Sequence, residues 1–362
     1  MEPFENSEEW FERMFGFKEN LQSVNENFEV HEEGGFVFLR SKVNLAKYCA
    51  GHFEIRKLSS FQRLTPRGGG KLHLIRGNGT KSNPLNLVDV IAAEANPDNH
   101  GATFQVASNF NCLDHVPQGN HRPPQGTCSE YYTRLVQGPP ADVACGPALL
   151  YRQYFLPLPN GTIGQVDINN DLNLLSETPI PVHDGYTYIP ESLAKDPQFI
   201  QFDWENLDHY PIGLHTEVDV TMDRAPHGMF KLVPPPQRVH QVFCSAVAFN
   251  NYGSKDPFVY RIASYILRAE YRATILAAWE NSLNFPGRPG SNKCFLTLIG
   301  GGVFLTPMQI VTDAINECKD IIVASGLDVY IVCFDEKVYT NVHAYCGKTV
   351  EETGGSIIRG NL

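Results

Sequence analysis

Apolar residues gather into short unbroken runs in some parts of the chain and recur every three or four positions in others. The two patterns alternate most clearly in the last third. The run RVHQVFCSAVAF (238–249) reads as a buried strand. Asp256-Pro257 then supplies an N-cap and a first-turn proline for a helix in which Phe258, Ile262, Ile266, Ala269, Ala273 and Leu276 repeat at helical spacing. KCFLTLIGG (293–301) is a second strand. Thr306-Pro307-Met308-Gln309 has the form of a capping box, and Met308, Val311, Ile315 and Cys318 share one face of the helix it opens. LDVYIVCFD (327–335) is a third strand, followed by a helix over EKVYTNVHAYC. Continuous apolar strands alternating with helices predict a largely parallel sheet covered on both faces.

Upstream the pattern is less regular. Residues 1–60 read as short helices, the first capped by Ser7, followed by extended segments. TPRGGGKLHLIRGNGTKSNP (65–84) reads as loop or weak hairpin, and Asn83-Pro84 as the start of a helix over LNLVDVIAAEA. GATFQVAS (101–108) is a buried-strand signal. A polar loop follows it, then a helix-compatible stretch around Val143–Tyr154. Residues 156–236, rich in proline, yield no strand assignment. This divides the chain into an N-terminal extension (1–97), a core (98–346) with an insertion at about 115–235, and a C-terminal tail (347–362).

Composition narrows the function classes. A formal net charge of -11 argues against non-specific binding to nucleic acid or to a membrane surface, since both favour a cationic face. The nine cysteines fall in no metal-ligand spacing, and several sit inside apolar runs, so buried free thiols are expected and no metal. The acidic start MEPFENSEEWFERMF lacks a basic, apolar leader, and no apolar run is long enough to span a bilayer. A cytoplasmic monomer is the resulting expectation.

The strongest chemical signal is LTLIGGGVFLTP. A buried strand ends at Gly300-Gly301-Gly302 and a helix begins a few residues later. Glycines at such a bend let backbone N–H groups converge on an anion. No Lys-Ser/Thr follows, which excludes a P-loop, and Leu305 stands where a dinucleotide fingerprint needs glycine.

Taken in order, these segments resemble the macrodomain superfamily, whose members bind or hydrolyse ADP-ribose. HQVFCSAVAF precedes a long helix containing Ala269-Glu270-Tyr271-Arg272, TLIGGGVFLTPMQIVTDAI resembles the diphosphate loop and its helix, and VYIVCFDEKVY resembles the closing strand. ATFQVASNFNCLD resembles the strand and loop that carry the ribose-binding asparagine. The glycine run that usually follows is absent. NFNCLD, a long insertion and VQGPPADVACGPALLYRQYF instead resemble a divergent, MavL-like branch that includes an ADP-ribosylarginine hydrolase. Where that branch often carries an aspartate before QGP, Arg134 stands here.

The resemblance implies a three-layer α/β/α sandwich on a mixed, largely parallel sheet, elaborated by the N-terminal extension and the insertion. It implies that ADP-ribose or an ADP-ribosylated protein is the partner and that no cofactor is needed. Asn109 and Asn111 would meet the distal ribose, Gln137 would also bind substrate, and Gly300, Gly301, Gly302, Val303 and Phe304 would cradle the diphosphate. Phe334 and Asp335 would complete the substrate site. An N-glycosidic bond breaks with oxocarbenium character, so a nearby carboxylate can stabilise positive charge or activate water, and one of Asp114, Glu217 and Asp219 is the expected catalytic acid. Each residue also has a plainer reading. Glu217 and Asp219 fit an acidic edge strand, Asp114 a loop, Phe304 and Phe334 the core, and Asp335 a helix cap. The implied activity is removal of ADP-ribose from protein side chains, arginine linkages first. A non-catalytic ADP-ribose reader, or a scaffold with a decayed pocket, would share these features.

Overall fold

The computed structural model describes all residues except 1, 6–8, 62–63, 78–87, 115–126, 132–136, 168–169, 227–228, 251–254 and 360–362. The expected caps at Ser7 and Asn83, and Arg134, lie outside the described residues. The strands are β1 (Phe28–Glu33), β2 (Phe36–Ser41), β3 (Lys47–Arg56), β4 (Lys71–Arg76), β5 (Thr103–Ala107), β6 (Ile212–Asp219), β7 (Met222–Arg224), β8 (Phe230–Leu232), β9 (Arg238–Cys244), β10 (Lys293–Leu296), β11 (Asp328–Cys333) and β12 (Ile357–Ile358). Ten of them form one sheet in the order β1-β2-β3-β6-β9-β5-β10-β11-β4-β12, and β7 pairs with β8 apart from it. From β9 to β12 every pairing is parallel; from β1 to β9 every pairing is antiparallel.

Apolar residues on both sides of the strands give the three layers. On β11, Val329, Ile331 and Cys333 enter one core, while Tyr330 and Val332 pack against another on the opposite face. The first core is covered by the helices Pro257–Asn284, Met308–Asn316, Lys319–Ser325 and Glu336–Glu352. The opposite face is covered by the helices Val90–Ala95, Gly138–Ala144 and Gly146–Leu150. The chain is therefore an α/β/α sandwich with a mixed sheet. Asp256 caps the long helix as its sequence predicts, accepting the Phe258 N–H at 2.8 Å, and Ile262, Ile266, Ala269 and Ala273 are all buried.

Three local expectations are corrected. KLHLIR is not loop or weak hairpin but β4, paired in parallel with β11; its glycines bound a short apolar strand on either side. The segment carrying Glu217 and Asp219 is not an edge strand. β6 lies between β3 and β9 and is buried along its whole length. The capping box at Thr306 does not form: the helix begins at Met308 after Pro307, and Gln309 bonds Asp313 instead.

Candidate functional site

Parallel strands deliver all their C-terminal ends to one edge of the sheet, where ligands of such sheets sit. Here that edge gathers the loops after β5, β9, β10 and β11. After β5, Ser108 continues the pairing by donating to Cys244 O at 2.8 Å. The chain then turns, with Asn109 N–H to Leu113 O at 2.8 Å and Cys112 N–H to Asn109 O at 3.0 Å. Asn111 is fully buried and engaged at both ends of its amide: Oδ1 accepts the Leu113 N–H at 3.1 Å, and Nδ2 donates to Asp171 Oδ2 at 2.9 Å. Asn109 is buried beside it.

After β10 the chain bends at Gly300, whose φ of 73° favours glycine. A Cβ there would overlap Thr306 Oγ1 and stand 2.6 Å from Ala246 Cβ. The bend is closed by Thr306 N–H to Gly300 O at 2.9 Å. Its carbonyls face the β9 loop: Phe304 O accepts the Phe249 N–H at 2.7 Å, and Val303 O accepts Asn250 Nδ2 at 3.3 Å. That orientation leaves the N–H groups of Gly302, Val303 and Phe304 without a hydrogen bond among the described residues. At Gly302 an added Cβ would meet nothing within 4 Å. Val303 and Leu305 are each more than 60% exposed.

A turn from the insertion lies between these two loops. His183 and Tyr186 exchange backbone hydrogen bonds of 2.9 Å around Asp184 (φ 52°) and Gly185 (φ 75°), a two-residue hairpin turn. Gly185 O accepts the Phe110 N–H at 2.8 Å, Thr187 O accepts the Ala248 N–H at 3.3 Å, and the Tyr186 ring meets Phe304 edge to face at 5.8 Å. Asp184 is buried there. Sequence reasoning missed this turn, although Asp-Gly between apolar residues is its signal. Beneath the edge, Ser245 N–H donates to Glu270 Oε1 at 2.9 Å, and burial pushes the Glu270 carboxyl well up against that bond. Four buried side-chain atoms of this region have no hydrogen-bond partner among the described residues: Ser245 Oγ, Asn250 Oδ1, Glu270 Oε2 and Thr306 Oγ1. Buried polar atoms are otherwise satisfied in native folds, so such a concentration calls for a polar partner.

No protein-family model and no curated protein matches this chain. Solved structures do resemble it. Poly(ADP-ribose) glycohydrolase from Deinococcus radiodurans in complex with ADP-ribose is 11% identical over 82% of this chain and 94% of that one, with a TM-score of 0.43. Its apo form is 12% identical over 82% and 93%, with a TM-score of 0.38. A variant of the glycohydrolase from Thermomonospora curvata is 12% identical over 82% and 84%, also at 0.38. Identities this low assign no residue of those enzymes to a position here.

The remaining expected residues fall into two groups. Phe334 and Asp335 follow β11 at the same edge, with Phe334 40% exposed. Asp335 Oδ1 accepts the Val338 N–H at 2.8 Å, so this residue caps a helix. Asp114 also belongs to the edge, since a Cβ on Gly138 would overlap both its Oδ2 and the Ala107 carbonyl. Gln137 acts as a stand-in for a strand: its amide accepts the Ala107 N–H and donates to Gln105 O, each at 3.0 Å.

Glu217 and Asp219 are elsewhere. Asp219 pairs in register with Arg238, the first residue of β9, so both acids lie at the opposite end of the strands from Asn109 and Gly300. They share Arg238, whose Nε donates to Asp219 Oδ1 at 2.9 Å, and Glu217 is also gripped by both Arg288 amino groups. Burial pushes the Glu217 carboxyl up, but Arg288, His240 and Arg238 outweigh it and hold the group below the usual range. A cleft of about 430 Å³ on the antiparallel side, lined by Phe36, His52, Arg56, Thr216, Glu280 and Phe285, is also separate from the edge. Its Arg56 is paired with Glu54 and Glu280 at 2.9 Å each.

Proposed function

We propose that the edge formed by the loops after β5, β9, β10 and β11 binds ADP-ribose, and that the protein removes ADP-ribose from modified protein side chains. The observation that carries this reading is the run of three unengaged backbone N–H groups at Gly302, Val303 and Phe304. Successive N–H groups on a bend suit the oxygens of a diphosphate. The asparagine loop lies across the His183–Tyr186 turn from that bend, and the unsatisfied Ser245, Asn250 and Thr306 groups are of the kind that hydroxyl-rich sugars engage.

Cleavage of an N-glycosidic bond needs a carboxylate at the ribose, to stabilise positive charge or to activate water. In this reading Asp114 or the buried Asp184 supplies the carboxylate, and Asp184 replaces the expected Glu217 and Asp219. Arginine-linked ADP-ribose is the leading substrate, supported by the resemblance of the NFNCLD and VQGPPADVACGPALLYRQYF segments to the divergent hydrolase branch.

The test is turnover of an ADP-ribosyl-arginine peptide by the wild-type protein and by Asp114→Asn and Asp184→Asn, with ADP-ribose affinity measured in parallel by calorimetry. The expected result is release of ADP-ribose by wild type and a loss of at least a hundredfold in one variant that still binds. Binding without turnover in wild type would instead identify a reader of the modification. The distance of Glu217 and Asp219 from the edge is what keeps that second reading in view.

A further inference from the structure

The loop that carries Asn109 and Asn111 contains a residue in an unfavourable conformation. Cys112 has φ 59°, a left-handed value that side chains other than those of glycine and asparagine seldom adopt. Such strain persists only where surrounding structure holds it, and it concentrates at functional sites. The holding group is Arg152, whose Nε donates to Cys112 O at 3.0 Å.

Arg152 sits in the wide turn Tyr151–Phe155, where the helical spacing opens to i→i+5, and it has no exposed surface. Its Nη1 meets His215 Nδ1 at 2.9 Å, its Nη2 bonds Asp142 Oδ1, and its guanidinium lies 3.9 Å over the Phe243 ring. His215 is on β6 and Phe243 on β9, so one planar cation links the insertion, two strands of the sheet and the asparagine loop. Burial drives Asp142 up to about 6, with Arg152 opposing, and His215 well below its usual range, with burial first and the Arg152 charge adding to it. Asp142 Oδ2 and His215 Nε2 have no hydrogen-bond partner among the described residues. A fully buried ion pair with two unsatisfied atoms is a poor device for stability alone.

We infer that Arg152 is a positioning residue for the ligand: it fixes the Asn109–Leu113 turn through the Cys112 carbonyl. This rests on the reading that the edge binds ADP-ribose. Lysine retains the charge towards Asp142 but has no planar fork to serve three acceptors at once. Glycine at 112 accepts the left-handed conformation without a clamp.

The experiment compares wild type, Arg152→Lys, the double variant Arg152→Lys/Cys112→Gly, and Ile322→Ala, a core deletion beneath the helices of the first face. Calorimetry reads ADP-ribose affinity, and hydrogen exchange reads the amides of Asn109, Cys112 and Leu113 against Val242 in β9. The expected result is a tenfold or greater affinity loss in Arg152→Lys, with exchange accelerated at the three loop amides and unchanged at Val242. Affinity should recover at least threefold in the double variant and stay at the wild-type value in Ile322→Ala. Unchanged loop exchange in Arg152→Lys overturns the inference, as does an equal affinity loss in Ile322→Ala. If wild type binds no ADP-ribose, the functional reading fails, and the exchange comparison alone decides the role of Arg152.

Discussion

The backbone N–H of Phe249 donates to the carbonyl of Phe304 across 2.7 Å, and this bond fastens the loop after β9 to the glycine bend after β10. The Val303 and Phe304 carbonyls are both engaged by that loop, while the N–H groups of Gly302, Val303 and Phe304 have no hydrogen bond among the described residues. In the proposed reading these groups, and no basic side chain, would hold the diphosphate.

The two outer glycines of the bend should respond differently to alanine. At Gly300 the positive φ and the overlap with Thr306 and Ala246 make Gly300→Ala destabilising by roughly 1–3 kcal/mol, and ADP-ribose affinity should be lost with the bend. Gly302→Ala meets no neighbour, so its stability should stay within about 0.5 kcal/mol of wild type. Its affinity should fall, because a methyl group then stands beside the unengaged N–H groups. Urea unfolding and calorimetry on both variants check this pair; equal behaviour of the two would contradict it.

Glu217→Gln should be a stability variant. Removing this charge takes from Arg288 its Glu217 partner and leaves Arg238 with Asp219, at a cost of about 3 kcal/mol for breaking a largely buried pair. Turnover per folded molecule should match wild type, since β6 brings the residue to the far end of the strands. A specific loss of turnover in folded Glu217→Gln would return the catalytic role to it.

How much of this was legible follows from what each signal encodes. β5, β9, β10 and β11 lie in short runs rich in apolar and β-branched residues and read directly, as does the Asp256 cap. β4 was hidden because its six residues are framed by glycines, so that local composition outweighed a short apolar run. The misplacement of Glu217 and Asp219 has a different cause. Alternation tells which residues share a face of a strand, but not at which end of the sheet they arrive, and that end is fixed by the antiparallel register with β9. Arg152 lies in a stretch without strand periodicity, and the groups it positions are far along the chain. Arg152 meets Cys112 and His215, 40 and 63 positions away.

The acid response should carry the mark of His240. Burial, with the charges of Arg288 and His100, depresses its pKa from 6.5 to about 4 against the opposing pull of Glu217. Between those values the unfolded chain takes up a proton that the folded chain refuses. Stability from this source is full above pH 6.5 and declines as pH falls towards 4, by about 3 kcal/mol in all. His240→Gln, neutral throughout, should show a shallower decline between pH 7 and 4 in denaturant titrations. Parallel curves for the two proteins would show that the group does not titrate as described.

Titration of ADP-ribose into the isotopically labelled protein, followed at its backbone amides, shows whether the glycine bend holds the diphosphate. Saturable shifts are expected at Gly302, Val303 and Phe304, with smaller ones at Asn109 and Gly185 and none at Glu217 or Asp219. Absence of any shift at millimolar ADP-ribose, or shifts confined to the Arg238–Arg288 end of the sheet, would contradict that binding mode.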